Sequence, residues 1–204
     1  MRYLVGIDEV GRGPLAGPVT VAAVALPRNF KLRILNFKLP LRDSKKLTEN
    51  QRELWYQYIR THPQIKFAMA SVYPKTIDKI NITQAANRAA TRAAQRLIEK
   101  GQIKKCKIIL DGGLHVNPMK IDGRPLDVGA RTIIRGDEKF TPIKLASIVA
   151  KVKRDRLLAR YHKKFPKYRL NEHKGYGTKI HMAAIKRYGP SILHRLTFLK
   201  NFLS

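Results

Sequence analysis

The chain opens on an apolar, strand-like run, Tyr3-Leu4-Val5-Gly6-Ile7, that two adjacent acids, Asp8 and Glu9, interrupt. Val10 and a Gly11-Arg12-Gly13-Pro14 turn follow. Neighbouring side chains of a regular strand point to opposite faces, so these two acids converge only if the backbone bends there. The glycines make a bend cheap. Taken alone, the stretch reads equally well as a strand ending in an acidic turn. Pro18 to Leu26 is apolar and β-branched and predicts a second strand, paired with the first as a hairpin-like unit. Lys31 to Pro40 predicts a third.

Helical periodicity begins after Thr48, which with Gln51 forms a capping-box pattern and predicts a helix over 49–60. Trp55 and Ile59, four apart, mark its inner face. Ile65 to Val72 predicts a strand. Asn81 with Gln84 predicts a second capped helix, reaching Lys100, whose many alanines suit close packing on a sheet. Arg88, Arg92 and Arg96 form one positive stripe along it, either a solvated face or a track for phosphates. Lys105 to Leu110 predicts a strand that ends directly in Asp111-Gly112-Gly113, and carboxyl ends of strands in α/β sheets are where sites collect. Leu114 to Ala130 shows no period and reads as loop. Arg131 to Arg135 predicts a short strand before Gly136-Asp137-Glu138.

Thr141-Pro142 places a cap residue before a first-turn proline. The helix that follows is apolar on most sides from Ile143 to Ala150, so its first half should be buried, and it turns strongly basic from Lys151 to Lys164. Thr178 caps what reads as the last helix, ending near Tyr188. Gly175 and Gly177 frame Tyr176 between Lys174 and Lys179, an exposed aromatic of the kind that stacks on a base or sugar, or an ordinary loop tyrosine.

Charge narrows the function. Lys and Arg number 42 against 14 Asp and Glu, a formal net charge of +28 over 204 residues. Such an imbalance points to nucleic acid or an anionic membrane surface. The longest apolar stretch, Val19 to Leu26, is far short of the roughly 20 residues of a spanning helix, and no signal-peptide pattern opens the chain. The lone Cys106 lies in an apolar strand, which reads as core packing and fits a reducing, cytoplasmic setting. The length suits one domain.

Acids are scarce, yet Asp8, Glu9, Asp111 and Asp137 all fall at strand ends. Two carboxylates about 4 Å apart at an effective dielectric of about 20 repel by roughly 4 kcal/mol. Such a cluster needs a cation, and carboxylate oxygens suit Mg²⁺ or Mn²⁺. On a basic chain this points to two-metal hydrolysis of a phosphodiester. Two other readings stand beside it. One is a non-catalytic basic RNA-binding protein. The other is a metal-free ribonuclease using His62, His115, His162, His173, His181 or His194, whose spacing shows no evident acid–base pair.

The stretch Asp8-Glu9-Val10-Gly11-Arg12-Gly13-Pro14-Leu15-Ala16-Gly17-Pro18 resembles the N-terminal signature of type 2 ribonucleases H, in particular ribonuclease HII. Further blocks agree in order: Asp43-Ser44-Lys45-Lys46-Leu47, Asp111-Gly112, Arg135-Gly136-Asp137 with Ala146-Ser147-Ile148-Val149-Ala150-Lys151-Val152 and Arg154-Asp155, and His173-Lys174-Gly175-Tyr176-Gly177-Thr178. The resemblance implies a ribonuclease H-like α/β fold, a mixed sheet flanked by helices, in one catalytic domain over 1–204 with a helical C-terminal part from about 165. It implies metal-dependent endonucleolytic cutting of the RNA strand of RNA–DNA hybrids, and of single ribonucleotides in duplex DNA during ribonucleotide excision repair, with 3′-hydroxyl and 5′-phosphate products. By motif position, Asp8, Glu9, Asp111 and Asp137 are the expected catalytic ligands of Mg²⁺ or Mn²⁺. Gly11, Arg12 and Gly13 are expected to read the ribose 2′-hydroxyl, the local mark of RNA. Tyr176 is expected on the neighbouring deoxyribose, and Lys45, Ser147 and Lys174 at phosphates. The expected state is a monomer acting on hybrid and ribonucleotide-containing duplexes, away from membranes. Arg12 between the glycines favours ribonuclease HII over HIII. Gly113, Arg135 and Lys144-Leu145 depart from the usual pattern, and Asp122 and Asp127 in the loop compete for the fourth-ligand role.

Overall fold

The computed structural model describes residues 2–32, 39–121, 124–126 and 129–203. In chain order the elements are β1 (Tyr3–Val10), β2 (Val19–Pro27), α1 (Glu49–Thr61), β3 (Lys66–Val72), α2 (Pro74–Ile80), α3 (Ile82–Gly101), β4 (Cys106–Asp111), β5 (Met119–Ile121), β6 (Arg124–Leu126) and β7 (Gly129–Ile133). Then come α4 (Gly136–Lys139), α5 (Thr141–Lys164), α6 (Leu170–His173), α7 (Lys179–Tyr188) and α8 (Leu196–Leu203), with short 3₁₀ turns at Ser44–Lys46 and Pro166–Tyr168. The main sheet has the order β3-β2-β1-β4-β7. β1 is antiparallel to β2 and parallel to β4, so the sheet is mixed, as the resemblance implied.

Helices cover both faces of the sheet. β2 is buried at every position, and this explains why its sequence reads as an apolar run, with Thr20 alone polar and bonded to Ser71 Oγ at 2.9 Å, rather than as an alternation. On one face α3 lays Ala85, Ala86, Ala89, Ala90, Ala93 and Ala94 against the strands. On the other, α5 and α1 bury Leu145, Ile148, Val149, Trp55 and Ile59. Leu145 therefore serves the core. Cys106 packs partly buried against the first cluster. α5 approaches β1 so closely that a Cβ on Gly6 would lie 2.3 Å from the Ile143 nitrogen. From that contact, two residues along β1 and four along α5 both advance about 6 to 7 Å, which brings Ser147 level with Asp8.

The capped helices at Thr48 and Asn81 form as their sequences predict, the first with both bonds of its capping box. Other expectations need correction. The segment 114–130 is not all loop, because β5 and β6 make a small antiparallel hairpin within it and β7 begins at Gly129. α2 lies between β3 and Asn81, started by Pro74 at its first turn. Phe140, not Thr141, is the cap residue of α5. α7 is not the last helix: α8 follows, its first turn held by the distant Asp78, which accepts from the Leu196 and Thr197 nitrogens at 2.9 and 3.0 Å. Most of the expected third strand (33–38) lies outside the described residues, as do Asp122 and Asp127. Among the described residues no helix is long and apolar enough to cross a membrane.

Candidate active site

The parallel β1–β4 ladder ends at Ile7↔Leu110, so the next residues, Asp8 and Asp111, emerge side by side at the carboxyl edge of the sheet. β1 does not bend at its acids. It stays paired with β2 through Val10↔Thr20, and the turn comes only at Gly11, with φ +89. The two adjacent acids keep opposite sides, as a regular strand requires. Asp8 turns to the α5 side, where the Ser147 hydroxyl bonds it. Glu9 turns to Arg12, whose Nη1 lies 3.6 Å from Glu9 Oε1 and whose Nη2 donates to Thr83 Oγ1 of α3 at 3.4 Å. Both carboxylates nonetheless feel the charge of Asp111. The cluster is closed by the meeting of strand ends, not by a kink.

Asp137 reaches the same edge through Asp111. After β7 the chain turns at Arg135, in the left-handed region with φ +53. The Gly136 and Asp137 nitrogens then donate to Asp111 Oδ1 at 2.6 and 3.3 Å. Asp111 thus caps α4, a short helix whose own cap residue gives no side-chain bond, and seats Asp137 beside itself. Asp43 joins this group: it is buried, caps its own 3₁₀ turn by accepting from the Lys45 nitrogen at 3.0 Å, and adds to the negative field at Asp137. The sequence reading gave Asp43 no role of its own, although an Asp two residues before Lys45 is a cap signal.

The electrostatics show what the cluster lacks. Burial, then Glu9 and Asp111, push the Asp8 carboxyl well above its ordinary value. Burial raises Glu9, Arg12 pulls it back in part, and Asp111 raises it further, with a net upward result. Burial, Asp111 and Asp43 raise Asp137. Burial lowers the Lys45 ammonium, but Asp43, Asp137, Asp8 and Asp111 more than offset this and hold it above its usual range. Glu9 Oε2 is buried without a hydrogen-bond partner. A buried anionic oxygen left unpaired among like charges fits a bound cation. Among the described residues no three His, Cys, Asp or Glu side chains enclose an ion by themselves. Mg²⁺ and Mn²⁺ do not need such an enclosure, since they take few protein carboxylates and complete their shells with water and substrate phosphate.

Beside the acids, two buried arginines shape the glycine loop from beneath. Arg195 Nη2 donates to Gly11 O at 2.6 Å and to Gly17 O at 2.9 Å, and Nη1 donates to Arg12 O at 2.8 Å. Arg154 donates to Pro18 O, Ala16 O and Lys174 O. Gly11 is obligatory here, since a Cβ would sit 2.3 Å from Arg154 Nε. In a trans peptide the carbonyl and the next N–H point in opposite directions. With the Gly11 and Arg12 carbonyls turned inward to Arg195, the Arg12 and Gly13 N–H groups point outward, as donors toward whatever lies over the loop. Tyr176 is 46% exposed, and a Cβ on Gly13 would lie 3.9 Å from its Cε1, so the ring stands next to that loop. Neither arginine was assigned a function from the sequence. A basic residue inside the apolar 192–199 segment is the signal that marks Arg195.

The remaining expected contacts fall as follows. Ser147 is 5% exposed, and its hydroxyl is shared between Ser44 Oγ at 2.7 Å and Asp8, so it supports the carboxylate from below. Lys174 Nζ donates to Asn171 O at 2.8 Å. Arg88 and Arg92 are exposed and line an open groove of about 590 Å³ with Gln84, Asn87, Thr91 and Asn117. Arg96 donates to Met69 O at 3.0 Å. His173, His181 and His194, widely spaced in sequence, meet in one buried cluster.

Solved structures define the class. Ribonuclease H2 from Pyrococcus horikoshii OT3 shares the fold with a TM-score of 0.72 at 25% identity, over 96% of this chain and 93% of that one. RNase HII from Archaeoglobus fulgidus, solved in complex with PCNA, matches with a TM-score of 0.70 at 25% identity, over 95% and 94%. The chain is a metal-dependent ribonuclease, a hydrolase with the ribonuclease H-like fold. The family profile of Ribonuclease HII matches residues 5–201. Ribonuclease HII of Caldicellulosiruptor bescii is 43% identical over 203 residues, covering 100% of this chain and 89% of that relative. The chain belongs to the ribonuclease HII family.

Proposed function

We propose that the protein is an endoribonuclease that cuts the RNA strand of RNA–DNA hybrids and incises at single ribonucleotides embedded in duplex DNA, leaving 3′-hydroxyl and 5′-phosphate ends. The observation that carries this reading is the adjacency of a buried, mutually repelling set of carboxylates to a loop whose Arg12 and Gly13 N–H groups face outward beside an exposed tyrosine. Asp8, Glu9, Asp111 and Asp137 would hold the divalent ions. Bound there, two Mg²⁺ or Mn²⁺ ions supply an acidified water as nucleophile and neutralise charge at the leaving oxygen.

The chain's own residues do the rest. Ser147 and the Glu9 nitrogen, the latter at 2.7 Å, hold the Asp8 carboxylate in place. The outward N–H groups of the glycine loop offer donors to a ribose 2′-oxygen, and deoxyribose presents nothing to accept them. Tyr176 gives the adjoining deoxyribose a flat apolar surface. Lys45, facing the acids, and Lys174 are proposed to hold the phosphates that flank the cut. The net charge of +28 supplies a strong, salt-sensitive attraction to any duplex.

The test is cleavage of duplex DNA carrying one ribonucleotide, with and without EDTA. One cut at the ribonucleotide, abolished by EDTA and restored by excess Mg²⁺, is expected. Cutting that survives EDTA, or products with cyclic phosphate ends, would overturn the proposal.

A further inference from the structure

The three clustered histidines lie at the back of the Tyr176 turn, and their hydrogen bonds fix every ring proton. His173 Nδ1 accepts from the Gly175 nitrogen at 3.2 Å, so Nε2 carries the proton and donates to Tyr168 O at 2.8 Å. His181 Nδ1 faces Tyr176 O at 2.9 Å, and a carbonyl only accepts, so the proton is on Nδ1. His194 Nδ1 accepts from the Ser191 nitrogen at 2.9 Å, so its proton is on Nε2. That proton points to His181 Nε2 at 3.1 Å, the one atom of the pair left to accept. The assignments agree at every contact, and all three rings are neutral. Burial holds each below its ordinary 6.5, His181 at about 4. The His173 and His181 rings stack with centroids 4.1 Å apart.

This chain of bonds ties two parts of the site together. His194 is bridged to Ala16 of the glycine loop, and Leu193 O accepts from the Gly17 nitrogen at 2.8 Å. His181 holds the Tyr176 carbonyl, and His173 O accepts from the Tyr176 nitrogen at 2.9 Å. The turn is also held to the loop directly, because Gly175 O accepts from the Leu15 and Ala16 nitrogens at 2.8 and 3.2 Å. What the relay from His194 through His181 adds is the orientation of the Tyr176 peptide, and with it the direction in which the ring leaves the turn. We propose that His181 and His194 are positioning residues for Tyr176, and that their hydrogen-bonded pair fixes the enzyme's selectivity for a ribonucleotide followed by deoxyribose over a continuous hybrid. The inference rests on the proposed function. A continuous hybrid has no deoxyribose in the cut strand for Tyr176 to cover, so displacement of the ring should be felt at the junction and not there.

The test compares kcat/KM on a duplex with one ribonucleotide and on a uniform RNA–DNA hybrid, using the full chain with Mg²⁺. His181→Leu should lower the first by about tenfold or more while the second moves by less than about threefold. His181→Asn, whose amide can still donate to the Tyr176 carbonyl but does not reach His194, should restore part of the loss. In a Tyr176→Ala background His181→Leu should leave the ratio unchanged. His194→Asn keeps an acceptor for Ser191 but loses the donor to His181. It should lower the ratio too, and it carries the test if the leucine variant does not fold. Equal losses on both substrates, an unmoved ratio, or an effect that persists without Tyr176 would overturn the inference. An unsubstituted enzyme that cuts hybrids but never a single ribonucleotide would instead overturn the reading it rests on.

Discussion

Asp8→Asn is expected to abolish turnover while making the metal-free protein more stable. The variant keeps an oxygen to accept from the Glu9 nitrogen and an amide to bond Ser147, so the local geometry survives. What it loses is an anionic ligand. Several kcal/mol of transition-state stabilisation depend on charge at such a site, and at 1.36 kcal/mol per tenfold the expected loss is about a thousandfold or more. The stability effect has the opposite sign. The folded carboxyl titrates well above the unfolded value of 3.8, so the ionised form is disfavoured by folding. The metal-free native protein therefore loses stability as pH rises through the folded value, and the asparagine variant does not. Its advantage should vanish below about pH 4 and grow as pH rises from there. Chemical denaturation of both proteins in EDTA at several pH values measures this. Destabilisation by Asp8→Asn at neutral pH would contradict it.

Arg195→Met is expected to cost several kcal/mol of stability, because each buried carbonyl left without its donor costs about 1 to 3 kcal/mol. The guanidinium is fully buried, donates to the carbonyls of Gly11, Arg12 and Gly17, lies over the Phe198 ring and feels the charge of Asp78. Burial, with Arg154 second, lowers its pKa to about 9, which leaves it charged at neutral pH. Methionine would fill much of the volume but strand those carbonyls away from water. They would then turn to solvent and carry the Arg12 and Gly13 N–H groups out of line, so KM on a single-ribonucleotide duplex should rise as well. Arg195→Lys, with a single point charge in place of the planar fork, should fall between. Urea denaturation gives the first quantity and steady-state kinetics the second. A methionine variant within about 1 kcal/mol of the parent would show that the loop holds itself.

The parts legible in the sequence are those whose causes are local. Thr48 with Gln51 and Asn81 with Gln84 announce their helices because the capping bond spans three residues. β2 announces itself by nine positions broken by a single polar residue, Thr20. The parts that escaped are held from a distance. α8 starts where Asp78 supplies the cap, across more than a hundred residues. α4 is capped by Asp111 from another strand. The pairing of Asp8 with Ser147 follows from the close approach at Gly6, which no periodicity discloses. The same holds for the site. Asp8, Glu9 and Asp111 were visible at the ends of strands, while Asp137 lies in the first turn of α4, and the arginines beneath the glycine loop and the histidine chain behind Tyr176 depend on segments that meet only in the fold.

The proposed activity requires that Asp8, Glu9, Asp111 and Asp137 together hold divalent ions beside the glycine loop. The most direct measurement is anomalous scattering from crystals grown with Mn²⁺ and an uncleaved duplex containing one ribonucleotide. The account predicts Mn²⁺ peaks at coordination distance from Asp8 and Asp111, with the ribose over Gly11 to Gly13. A duplex bound without a peak at these carboxylates, or with its only peak elsewhere, would contradict it.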